Sequence, residues 1–397
     1  GVGGQHREGA LNPSRPAVFL FDPEGLLTSR DSLSKGDATL QPARIRLVKD
    51  AEQALKVKPL SVMDKSLVPA SGDKHDYFSY GPYWWPDPSK PGGLPYIRRD
   101  GEINPESDTG TDDNALTRIC ESVETLGLAY WFTGDERFAR KAAELTRVWF
   151  LNAKTAMNPN LQHAQAIPGV TPGRGIGIIE SRRLTAVNEG LALLAGSPAW
   201  GPADKAAFQE WLAKFYAWLT TSSNGRDEAN ALNNHGSWYD AQTAHLALVL
   251  GRNDDAREIL TRGLTRRIAA QIAPDGSQPL EMARTKSLGY SLFNLEALFD
   301  CARLADRVGV DWWSFQTKDG RGLLPALLHL APYLDASKPW PKRDIEAGDR
   351  SQIRPLLAEF LKHRDDPALR AVYLKYLPQS DPGDRWQLGA ITRRPHQ

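Results

Sequence analysis

The chain has 397 residues, 41% of them hydrophobic and 24% charged, which places it among ordinary globular proteins. With 49 Lys and Arg against 48 Asp and Glu, the formal charge is +1. That excludes the large basic excess of a general nucleic-acid binder, and no apolar run is long enough to span a membrane as a helix.

Residues 1–41 carry Pro13, Pro16 and Pro23 and little periodicity, and read as an arm laid on a single domain spanning 42–397. The start at Gly1-Val2-Gly3-Gly4 has no apolar leader core and is compatible with a mature form whose leader has been removed. From Pro42 to Val57, apolar residues recur at helical spacing. The stretch 71–107 differs in kind: Tyr77, Phe78, Tyr80, Tyr83, Trp84, Trp85 and Tyr96 stand among prolines, which argues against a helix. A loop of this length is functional or disordered, and this one is too aromatic for disorder. Its part at 77–107 reads as an aromatic lid or cleft loop.

Beyond Asp112 the pattern is helical almost throughout. A long helix stops at Thr133-Gly134-Asp135 and a second, amphipathic one follows; the same grammar recurs around Gly251-Arg252-Asn253-Asp254. Further helices are expected at 176–195, 202–221, 287–308, 319–335, 351–363 and 366–376. Repeated helix pairs with weak strand signals predict an all-α fold, either a solenoid or an α/α toroid, incomplete or closed. The pairs share no consensus and long loops interrupt them, which favours the toroid. Cys120 and Cys301 lie in apolar helical stretches and read as buried free thiols. Two cysteines are too few for a structural zinc cluster.

Four segments could carry chemistry. Asn233-Asn234-His235 opens a helix that continues through Trp238 and Tyr239. A capping Asn followed by a hydrogen-bonded His is the plain structural alternative, but two Asn and a His exceed what capping needs. In the segment 281–290, Arg284 and Lys286 bring two cations beside Tyr290, and a fixed cation favours a phenolate. A surface ion pair of Glu281 with Arg284 or Lys286 is the alternative there. The glycines around Arg174 follow no strand of a βαβ unit and so form no dinucleotide loop; with Gln165, they suit backbone approach to a bulky ligand. The aromatic loop could stack on sugar rings or simply seal the body.

Taken together, NNHGSWYD at 233–240, E-x-x-R-T-K-S-x-x-Y at 281–290, NPNLQHAQAIPGVTPGRGIGIIE at 158–180 and WWPDP at 84–88 resemble the alginate lyase superfamily of α/α-toroid polysaccharide lyases. The likeness is to families 5 and 38, with the Arg284-to-Tyr290 spacing closer to family 38. The resemblance implies Asn234, His235, Arg284 and Tyr290 as the catalytic set. Resemblance and residue type together add Tyr80, Trp84, Trp85, His163, Gln165, Arg174, Trp238 and Lys286 as substrate-binding residues. It also implies an acidic polysaccharide as partner, and a periplasmic or secreted location suited to a polymer.

The chemistry fits these residue types. A uronate C5 proton becomes acidic enough to remove only when the adjacent carboxylate is neutralised. Asn234, His235 and Arg284 can donate to that carboxylate and to the enolate-like charge that develops, and an Arg fork matches a carboxylate. Tyr290 can then take the C5 proton and protonate the leaving O4 where both lie on one face of the sugar, as in mannuronate. Where they lie on opposite faces, as in guluronate, His235 is the better base and Tyr290 the acid. No metal or other cofactor is expected. Two other classes compete: a toroid glycoside hydrolase with two carboxylates at a set separation, and a sugar-binding protein without turnover. Carboxylates rather than Tyr and His at the site's centre would mark the hydrolase.

Overall fold

A computed structural model of the chain describes residues 9–345 and 349–391; the first eight residues of the expected arm lie outside them. Two compact units make up the structure. One comprises the chain through Tyr96 together with Asn104–Asn224 and the segment from Pro382; the other comprises Ile97–Ile103 and Gly225–Asp381.

The first unit is built from α1 (Pro23–Ser34), α2 (Gln41–Ala54), α3 (Asp113–Thr133), α4 (Glu136–Thr146), α5 (Leu184–Ala192) and α6 (Pro202–Thr221). Helix α3 is its core. It packs on α2, α4 and α5, with Leu116, Ile119, Val123 and Leu126 fully buried. The break after α3 works as its sequence suggests. Gly134 takes the left-handed φ of 67° that ends the helix, and the Asp135 side chain accepts from the Arg137 N–H to start α4. A Cβ on Gly127 would stand 2.2 Å from the Gly190 carbonyl oxygen, so glycine is what lets the α3 and α5 backbones meet.

Two expectations need correction here. The arm contains a helix, α1, whose Leu26 and Leu33 are buried. Pro23 sits at its first turn, where no N–H is needed, and Asp22 caps it by accepting from the Gly25 N–H. The expected helix at 176–195 is instead a 3-10 segment, Gly175–Arg183, that runs into α5. The aromatic loop holds a short strand, Phe78–Tyr80, paired in parallel with His163–Ala166.

The second unit contains most of α7 (Ser223–Ala229), then α8 (Asn234–Val249), α9 (Asn253–Gly263), α10 (Pro279–Met282), α11 (Ser287–Asp306), α12 (Leu323–Leu330), α13 (Ile353–His363) and α14 (Pro367–Tyr376). Helices α8 and α11 pack on each other and are buried on nearly every face, as a central helix must be. Helix α9 lays an amphipathic face on α8. Among the described residues no helix is long and apolar enough to cross a membrane. Cys120 and Cys301 are buried free thiols.

Candidate functional site

The motif that opens α8 is explained residue by residue. Asn233 caps the helix, its side-chain oxygen accepting from the His235 N–H at 3.1 Å. A Cβ on Gly236 would lie 2.1 Å from Nη1 of the buried Arg267, so glycine leaves room for that guanidinium. Arg267 in turn donates to Asp240 at 2.8 Å and to the carbonyls of Ala229 and Ala231, fixing the chain just ahead of the helix. The Ser237 hydroxyl donates to Gln271, whose amide donates to the Asn233 carbonyl. Capping and bracing thus employ Asn233, Gly236, Ser237 and Asp240, and leave Asn234 and His235 for other work.

Both of those side chains rest on buried acids. His235 Nδ1 stands 2.9 Å from Glu228 Oε2. Asn234 Nδ2 donates to Glu281 at 2.7 and 3.1 Å, and the Asn234 backbone N–H donates to the same carboxylate at 3.1 Å. Burial pushes the Glu281 carboxyl above its ordinary value, opposed by the Asn234 donors and by the nearby Arg284 and His235 charges. The surface pair envisaged for Glu281 is therefore corrected: this acid is 1% exposed and faces Asn234.

Arg284 lies face-on over the Tyr290 ring, its Cζ 3.5 Å from the ring centroid, close enough for cation–π attraction. Its Nη2 donates to Asp100 at 2.9 Å. Asp100 also accepts from the Thr285 N–H and hydroxyl and from Arg98. Burial pushes the Asp100 carboxyl up, but the Arg284 hydrogen bond and charge outweigh it and leave the group below its usual range. Asp100, Gly101, Glu102, Thr285, Arg343 and Ile345 line a cavity of about 470 Å³ beside this pair.

Asn234, His235 and Arg284 thus gather around Glu281 in the second unit, and Tyr290 lies against Arg284. Lys286 precedes α11 and is buried, its carbonyl accepting from the Tyr290 N–H. Trp238 is also buried, its ring 5.0 Å from that of Phe293.

A separate cluster forms in the first unit. Gln165 has a φ of 50°, the one positive value among described non-glycine residues. It is clamped there: its N–H donates to Ser79, while its carbonyl and side-chain oxygen accept from Arg174 at 3.0 and 2.9 Å. The Arg174 guanidinium also stands 5.6 Å from the Trp84 ring. Tyr80 packs edge-on against Phe78, and burial, with the Tyr96 phenol, raises its phenol's pKa. Trp85 is half-buried, and His163 lies 3.8 Å from Asp76. Two glycines beside Arg174 are required by the packing of the chain itself: Cβ atoms on Gly173 and Gly177 would strike Gln162 and Ala164. Among the described residues, no group of three or more His, Cys, Asp or Glu could hold a metal ion.

Residues 61–340 match the family model described as alginate lyase. An alginate lyase structure from Bacteroides ovatus is 40% identical, covers 94% of this chain and 99% of its own, and superposes with a TM-score of 0.90. Alginate lyase A1-III from Sphingomonas species A1 is 17% identical over 92% of this chain and 93% of its own, with a TM-score of 0.52. A variant of A1-III complexed with a tetrasaccharide matches over 90% of each chain at 17% identity and a TM-score of 0.54. No curated protein sequence matches the chain. The α/α-toroid class anticipated from the helix pairs is the fold class of these structures.

Proposed function

The chain belongs to the alginate lyase family and is a polysaccharide lyase, and we propose that it cleaves 1,4-linked uronate polymers by β-elimination, with mannuronate-rich alginate as its substrate. The observation that carries this reading is the Arg284 guanidinium stacked at 3.5 Å on the Tyr290 ring, in the same cluster as Asn234 and His235. A cation against the phenol favours the phenolate needed to accept a proton.

In this mechanism Arg284, Asn234 and His235 neutralise the substrate carboxylate and hold the charge that builds on it as C5–H breaks. Such donors act strongly because they are fixed before the reaction and partly shielded from water. With Nδ1 on Glu228, His235 has Nε2 left to meet the sugar. On mannuronate, Tyr290 removes the C5 proton and returns a proton to the departing O4. The glycosidic C4–O4 bond breaks and a C4=C5 double bond remains on the new non-reducing end. On guluronate, where the C5 proton and O4 lie on opposite faces, the same site uses His235 as base and Tyr290 as acid.

The carboxylates present argue for elimination over hydrolysis. Glu228 is engaged by His235, Glu281 by Asn234 and Asp100 by Arg284, so none is poised as a general acid beside a free partner. The aromatic and basic cluster of Tyr80, Trp84, Trp85, His163, Gln165 and Arg174 is assigned to sugar binding, as are Trp238, on the helix that carries Asn234, and Lys286, just ahead of the helix that carries Tyr290. A polymer substrate fits a periplasmic or secreted enzyme. Ultraviolet absorbance of the unsaturated uronate, followed on polymannuronate, polyguluronate, glucuronan and hyaluronan, tests the assignment. Fastest release is expected from polymannuronate, and a preference for glucuronan would overturn the substrate while keeping the chemistry.

A further inference from the structure

We propose that Glu281 is a positioning residue for this elimination, acting through Asn234: it fixes the side-chain amide so that an N–H, not the carbonyl oxygen, meets the uronate carboxylate. The proposal rests on the lyase reading above and deepens it. An Asn side chain has two nearly isosteric orientations that differ by exchanging oxygen and nitrogen. Turned the wrong way, Asn234 would present its oxygen to a substrate carboxylate and repel it. A carboxylate accepts and does not donate, so Glu281 selects between the two. Its oxygens stand 2.7 and 3.1 Å from Nδ2, which directs Oδ1 elsewhere. One amide hydrogen is engaged by Glu281, and the other is the one Asn234 can offer.

The contact is sheltered and therefore strong. Glu281 is 1% and Asn234 2% exposed, and charge-assisted hydrogen bonds are about twice as strong as neutral ones. The carboxylate also faces the N-terminal end of α8, where the helix dipole favours negative charge. Glu281 is one of several ties at the start of α8. The helix start is already capped by Asn233, tied by Gln271 and braced by Arg267 through Ala229, Ala231 and Asp240. At the other end, Glu281 sits on α10, whose first residue follows Gln278. That side chain is locked by hydrogen bonds to Ser291 and Asn294 of α11. The acid is thus held rigidly by one side of the unit and presents its oxygens to Asn234 on the other.

Steady-state kinetics of Glu281→Ala, Glu281→Gln, Asn234→Ala and the double variant Asn234→Ala/Glu281→Ala test this. Misplacing one reacting group can lower turnover by about a hundredfold. Glu281→Ala is expected to lose kcat on that scale with KM changed by less than about threefold, and Glu281→Gln, which keeps one acceptor, to recover part of it. On the Asn234→Ala background the same Glu281 change should alter kcat by less than about threefold, because its route of action is gone. Full kcat in Glu281→Ala, or an equal loss with and without Asn234, would overturn the proposal. Side-chain amide NMR of Asn234 gives a reading independent of turnover. A downfield N–H in the wild type should move in Glu281→Gln, and an unmoved resonance would refute the contact. Failure of the lyase reading looks different: the wild type itself would release no unsaturated product, and the role of Glu281 would fall with it.

Discussion

Replacing Arg284 by Lys keeps the positive charge and removes the fork, and so separates charge from geometry. In the structure the guanidinium does two things at once: it covers the Tyr290 ring at 3.5 Å and donates to Asp100 at 2.9 Å. A lysine ammonium is a compact point charge and cannot hold a planar stack and a directed carboxylate contact together. Losing one preorganised donor to developing charge costs about 3 to 4 kcal/mol in the barrier, which is a factor of about 10² to 10³ in rate. Folding should suffer far less. Asp100 keeps the Thr285 N–H and hydroxyl and Arg98, and a part-exposed ion pair contributes about 1 kcal/mol or less. The assay is the initial rate of unsaturated-uronate formation from polymannuronate, with thermal melting measured beside it. A kcat/KM within about threefold of wild type would refute the neutralising role, the expected loss being about a hundredfold or more. A large loss that merely tracks unfolding would refute it too.

Two further outcomes follow from buried groups. Burial and the Asp113 charge raise the Glu180 carboxyl to about 8, while Ser79 and Tyr77 donate to it. The folded protein then holds a proton that the unfolded chain releases. That stabilisation is fully present below the ordinary value of 4.5 and is lost as pH climbs through about 8. Glu180→Gln should therefore gain melting temperature relative to wild type between about pH 5 and pH 9, and a constant difference across that range would contradict the assignment. Cys120 and Cys301 are buried free thiols whose pKa values burial raises. A thiol-reactive dye should label both after denaturation and neither in the native state; rapid native labelling would contradict their burial.

Helix ends are legible in this sequence because their chemistry is local. Gly134 and Asp135, or Asn233 ahead of His235, declare a stop or a start within a few residues. Local rules also explain where reading failed. Pro23 looks like a breaker until it is placed at a first turn. The resemblance to alginate lyases brings forward Asn234, His235, Arg284 and Tyr290 as candidates. It does not say which residue each of them meets. Glu281 meets Asn234 from 47 residues away and Asp100 meets Arg284 from 184. Such pairings are set by which distant segments pack together. Glu228 lies only seven residues before His235, but the two sit on different helices, so helical periodicity does not link them.

The central claim, elimination carried out by Tyr290 among organic donors, is tested most directly by product mass. Wild type and Tyr290→Phe would each be incubated with polymannuronate in the presence of a chelator. The wild type should release oligomers that lack the elements of water and absorb in the ultraviolet, while Tyr290→Phe should still bind the polymer and release none. Saturated products with the mass of hydrolysis, or undiminished turnover in Tyr290→Phe, would contradict it.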